Sequence, residues 1–110
     1  MPQKDSALEG ASGEKITIHV VTHSHLDAGW VYDVETCYNT VRHIFSSVLD
    51  ELLDDKTKTY TVGDLYFFKR WYETKLDDER RKQVRELVKA GQFEIVSGGA
   101  VSTDEATVTY

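Results

Sequence analysis

Within the segment VVTHSHLDAGW, residues 20–30, His23, His25 and Asp27 stand at strictly alternate positions, with Trp30 just after them. Residues i, i+2 and i+4 of an extended chain point to the same side. The three side chains would therefore project together if the extended form continues through the segment. Imidazole nitrogen and carboxylate oxygen are both good zinc donors, at about 2.0–2.2 Å. A single histidine near a strand end is more often structural, but two histidines and an aspartate in step favour a metal or catalytic role. The segment also follows directly on an apolar run. In parallel α/β proteins the functional groups sit just past the carboxyl ends of strands.

Elements must hold that segment in place. KITIHVVT (15–22) is β-branched and reads as a buried strand. Val34, Tyr38, Val41, Phe45, Val48 and Leu52 recur at steps of three and four, which predicts a helix over 34–53. KTYTVGD (58–64) reads as a second strand, and LYFFKRWYETK (65–75) as a short helix whose aromatic residues are packing rather than a binding box. DDERRKQVRELVKAG (77–91) carries acids in its first turn, lysine in its last, and Gly91 where a left-handed residue would end it. QFEIVSGG (92–99) is a third strand, and STDEATVTY opens another helix. The order β-α-β-α-α-β-α predicts an α/β fold, a parallel sheet with helical crossovers. Three strands leave such a sheet unfinished and the chain ends inside a periodic segment, so residues 15–110 are expected to be a portion of a longer domain. Residues 1–14 read as a disordered arm.

Composition narrows the rest. The 110 residues are 40% hydrophobic and 29% charged, ordinary for a globular domain. A net charge of −6 offers no basic stripe for phosphates, so no nucleic-acid partner is expected. No run is long enough for a membrane span, and the polar opening carries no apolar core of a signal peptide. Cys37 is the one cysteine, so neither an intrachain disulfide nor a cysteine zinc cluster can form; it reads as a small core residue.

The pattern leaves several metal-site classes open. A His-x-His pair ending a first strand resembles the amidohydrolase barrels. THSHLDAG is similar to the metallo-β-lactamase pattern, but Ala28 stands where that pattern needs a histidine, and residues 1–14 have no room for its preceding strands. A closer resemblance runs from residue 16 onward. HSHLDAGW resembles the opening motif of glycoside hydrolase family 38, the class II α-mannosidases. CYNTVRHIFSSVLDELLDD, DLYFFKRWYE and VRELVKAGQFEIVSGGAVSTDEATVTY resemble further segments of that family, in order and in register.

That resemblance implies a zinc-dependent retaining α-mannosidase acting on mannose-containing glycans, built on a seven-stranded, barrel-like β/α domain. By position, His25 and Asp27 match two of four zinc ligands, and Trp30 the tryptophan that stacks on the mannose ring. Further ligands, one of them the nucleophile, are expected beyond residue 110, so no catalytic residue is assigned within the chain. His23 is a candidate for the hydrogen-bonding surround of the ligands. Asp64, Asp104 and Glu105 match family acids without an assigned role. Gly98 and Gly99 would let backbone or ligand approach closely, although a tight turn explains them nearly as well. Ala100 replaces a usual tryptophan, which puts subsite shape in doubt, and Thr22 a usual proline. Family members occupy the lysosome, the Golgi or the cytosol. The alternatives are a non-catalytic or vestigial carbohydrate- or metal-binding fragment, and an unrelated zinc hydrolase of the amidohydrolase type with His23 as a direct ligand.

Overall fold

The computed structural model of the chain describes residues 6–9, of which only the backbone, together with 13–96 and 98–100. Its elements are strands β1 (Ser6–Glu9), β2 (Lys15–Ile18) and β3 (His23–Ser24), helix α1 (Val34–Asp54), strand β4 (Tyr60–Val62), helices α2 (Leu65–Thr74) and α3 (Asp78–Lys89), and strand β5 (Phe93–Ile95). The three central strands form a parallel sheet in the order β3-β4-β5, with α1 crossing from the first to the second and α2 and α3 from the second to the third. The small α/β domain expected from the periodicities is present. The helix foreseen from residue 102 onward, with Asp104 and Glu105, lies outside the described residues.

Two expectations about the start of the chain need correction. Ser6–Glu9, read as part of a disordered arm, is a strand that pairs antiparallel with β2 and sets Leu8 opposite Ile16 and Glu9 opposite Lys15. The run 15–22 is also not one buried strand. Its first half belongs to this separate hairpin, and the parallel sheet begins only at His23, after Thr22 has accepted the Thr61 amide at 2.8 Å. Ile16, Ile18, Val20 and Val21 are all exposed, Val20 at 66%. β-Branched composition foretells extended backbone, but burial needs a neighbour, and among the described residues none covers this run.

The core lies between the helices and the sheet. Helix α1 starts because the Asp33 carboxylate accepts the Thr36 amide at 2.7 Å, and it buries Tyr38, Val41, Phe45, Leu49 and Leu52. Leu49 belongs to the same face as Phe45 and Leu52, and it is buried where Val48 is only half covered. Helix α2 contributes Phe67, Phe68 and Trp71, so the aromatic segment is packing. Phe45, Phe68 and Trp71 lie with ring centroids 5.4 to 5.9 Å apart, within the range of favourable aromatic pairs. Cys37 packs at the edge of this cluster. Helix α3 is capped by Asp77 on the Arg80 amide at 2.8 Å and closes with Gly91 at φ 76°, as its end signals foretold.

One buried polar side chain joins the layers. The Gln92 amide donates to the carbonyls of Leu52 (3.0 Å), Lys58 (3.2 Å) and Asp55 (3.3 Å), satisfying the end of α1 and the turn leading to β4. Gln92→Ala is expected to cost about 1–3 kcal/mol, because those carbonyls lose their donor away from water. A lowered urea midpoint at unchanged slope would show it.

Candidate metal-ligand loop

The motif begins where β3 ends. From Ser24 to Ala28 burial alternates: Ser24, Leu26 and Ala28 are half covered, with Leu26 and Ala28 packed on the core, while His23, His25 and Asp27 are exposed. The alternation read from the sequence therefore persists in burial although the strand itself stops at Ser24. His25 Nε2 and Asp27 Oδ1 stand 3.1 Å apart, with the two side chains 63% and 48% exposed. Two donors bound to one tetrahedral zinc at about 2.0–2.1 Å would stand about 3.3 Å apart. The pair thus has the chemistry and nearly the spacing of two neighbouring ligands of one ion. His23 does not complete a trio. Among the described residues, no three His, Cys, Asp or Glu come together in a way that could hold a metal ion.

The loop is fixed at both ends. At its start the Leu26 amide, between the two donors, gives its hydrogen bond to Asp64 Oδ2 at 3.1 Å. Asp64 is only 6% exposed and lies two residues past the end of β4, the strand paired with β3. At its far end Cys37 Sγ donates to the Tyr32 carbonyl at 3.7 Å. The Thr36 amide holds the Asp33 carboxyl below its ordinary value of 3.8. In between, Gly29 takes φ 98°, and a Cβ there would meet Val34 Cγ2 at 3.2 Å. Only glycine fits that turn without strain. Trp30 follows it, 84% exposed, with its amide bonded to the Tyr32 carbonyl at 3.1 Å.

Neighbouring groups tune the surroundings. Burial pushes the Tyr60 phenol above its ordinary 10.0; a hydrogen bond with Ser24 opposes this shift and the Asp64 charge adds to it. Arg70 pairs with both oxygens of Glu35 at 2.7 and 2.8 Å and lies 3.9 Å over the Tyr38 ring, clasping α1 to α2. Its guanidinium holds the Glu35 carboxyl below the ordinary value of 4.5.

At the end of the neighbouring strand, Gly98 turns at φ 64° with open space around it, which favours the tight-turn reading of the paired glycines. The Gly99 and Ala100 carbonyls accept the Leu65 and Tyr66 amides at 3.1 and 3.0 Å. The position that lacks the expected tryptophan thus serves the start of α2 through its backbone. Sequence reasoning left Asp64 without a task. Its signal was the parallel pairing, since Ser24 opposite Val62 brings Leu26 level with Asp64 two residues on.

Comparison with known proteins agrees with the motif. The family described as "Glycosyl hydrolases family 38 N-terminal domain" matches residues 15–110. An Arabidopsis thaliana protein named "Probable alpha-mannosidase" is 41% identical over 105 residues, covering 87% of this chain and 10% of the relative. Alpha-mannosidase D of Dictyostelium discoideum is 36% identical over 102 residues, 92% of this chain and 8% of the relative. Lysosomal alpha-mannosidase of Bos taurus is 35% identical over 106 residues, 88% and 10%. The chain therefore spans about a tenth of the length of the curated relatives it matches.

Proposed function

Because the chain belongs to glycosyl hydrolase family 38, we propose that residues 15–110 are the opening portion of the catalytic domain of an α-mannosidase and supply half of its zinc shell. The observation that carries this reading is the 3.1 Å approach of His25 Nε2 to Asp27 Oδ1 on a loop leaving the carboxyl end of a parallel strand. His25 and Asp27 would hold the ion, and zinc bound there would supply a Lewis-acid grip on neighbouring hydroxyls of a mannose ring. Trp30, exposed on the same loop, offers an apolar face to the C–H side of that ring. The carboxylates of a retaining double displacement are assigned beyond the residues matched here, as the family resemblance implies.

Exposed apolar surface supports membership of a larger, barrel-like sheet. Val20 and Val21 before β3, and Ile95 and Val96 at the end of β5, are exposed at the two outer strands of the parallel sheet. Parallel sheets are stable with both faces covered, so these positions fit further strands and helices. Among the described residues no helix is long and apolar enough to cross a membrane.

A segment exchange tests the reading. Residues 15–110, placed in Bos taurus lysosomal alpha-mannosidase in exchange for its matching segment, are expected to sustain hydrolysis of an aryl α-mannoside. The isolated 110-residue chain is expected to have no measurable activity. A folded chimera without activity, or robust hydrolysis by the isolated chain, would count against the assignment.

A further inference from the structure

Among the described residues three helices begin at an aspartate, and one of the three does not use its carboxylate as a cap. Asp33 and Asp77 each accept an amide three residues ahead, at 2.7 and 2.8 Å, which is the ordinary use of aspartate at that position. Asp64 makes no such bond. The amides of Leu65 and Tyr66 are satisfied instead by the Gly99 and Ala100 carbonyls. The Asp64 carboxylate turns instead across the sheet, where Oδ2 takes the Leu26 amide.

Leu26 is the residue between His25 and Asp27. Its amide belongs to the peptide plane that joins it to His25, so holding that amide fixes the direction in which His25 leaves the backbone and the path of the chain into Asp27. The strand cannot do this, since sheet pairing ends at Ser24. The acceptor is also well chosen. A nearly buried carboxylate makes a stronger, more directional bond to a backbone amide than a neutral oxygen or water does.

We infer that Asp64 is a positioning residue for the metal-ligand loop, pinning the Leu26 amide so that His25 and Asp27 are presented as a ready pair. The inference rests on the reading of those two residues as zinc ligands. A ligand pair organised before the ion arrives binds more tightly, and removing the groups that orient metal ligands typically costs about 10–100-fold in affinity.

Zinc affinity and amide hydrogen exchange, measured on the full 110-residue chain, test it together. The Leu26 amide is expected to be protected from exchange in the unsubstituted chain although it lies outside any strand. Asp64→Ala should remove that protection and weaken zinc binding about tenfold or more, at retained helical content. Asp64→Asn keeps an acceptor oxygen in reach and should restore both to within about threefold of the original. His25→Ala separates the two ideas. If it leaves zinc binding unchanged, the ligand reading fails. If it abolishes binding while Asp64→Ala changes nothing, the positioning role fails alone. Should Asp64→Ala not fold, an unprotected Leu26 amide in the unsubstituted chain overturns the inference, and so does weak zinc binding by a folded Asp64→Asn with Leu26 protected.

Discussion

Trp71→Ala is expected to abolish the cooperative thermal transition of this chain. Trp71 is fully buried, its ring lies 5.4 Å from Phe45 and 5.9 Å from Phe68, and its indole N–H donates to Ser46 Oγ at 3.1 Å. Truncation removes the largest side chain of the core, leaves a cavity between α1 and α2, and takes away the donor to Ser46 Oγ, which keeps only its own bond to the Arg42 carbonyl at 3.0 Å. Changes of this kind cost about 3–5 kcal/mol. A domain of this size has little more than that in reserve, since native stabilities are about 5–15 kcal/mol and small domains bury the least. Circular dichroism on heating would check it. A midpoint lowered by less than about 5 °C would mean that the core does not depend on this residue.

The second large effect concerns chemistry. In the chimera with the Bos taurus relative, His25→Ala and Asp27→Ala should each reduce hydrolysis of an aryl α-mannoside by on the order of a thousandfold, because each would remove one donor of the proposed ion. That estimate takes a metal's Lewis-acid contribution as several kcal/mol and each ~1.4 kcal/mol as tenfold in rate. The fold should not suffer. Both side chains are largely exposed, and substitutions at such positions usually move stability by less than about 0.5 kcal/mol. Retained helical content together with lost turnover would separate a ligand role from a structural one. A rate within about threefold of the unsubstituted chimera would contradict the assignment.

Helices were the most legible part of the sequence. Their periodic faces, and the acids in the first turn of α3 with the lysine and glycine at its end, are local signals, and local signals suffice where a helix satisfies its own backbone. The strand over 15–22 was legible as extended chain but not as buried chain. Its hairpin with Ser6–Glu9 and the late start of β3 depend on partners that no local pattern names.

At the site, spacing alone drew His23, His25 and Asp27 together, and the family motif reduced them to His25 and Asp27. The 3.1 Å approach of those two is the geometry on which the reduced set is proposed, and no trio that includes His23 forms among the described residues. Asp64 stayed unread for the opposite reason. Its partner lies 38 residues earlier in the chain, and only the pairing of β3 with β4 brings the two level.

The most direct measurement is a zinc titration of the chain against a chromophoric chelator, comparing His25→Ala with His23→Ala. Two donors give modest affinity, so the comparison rests on the difference between variants. The account predicts that His25→Ala, like Asp27→Ala, loses zinc binding, whereas His23→Ala keeps most of it. Equal loss in His23→Ala and His25→Ala would instead make both histidines direct ligands, as in an amidohydrolase-type site, and would contradict the assignment of the loop.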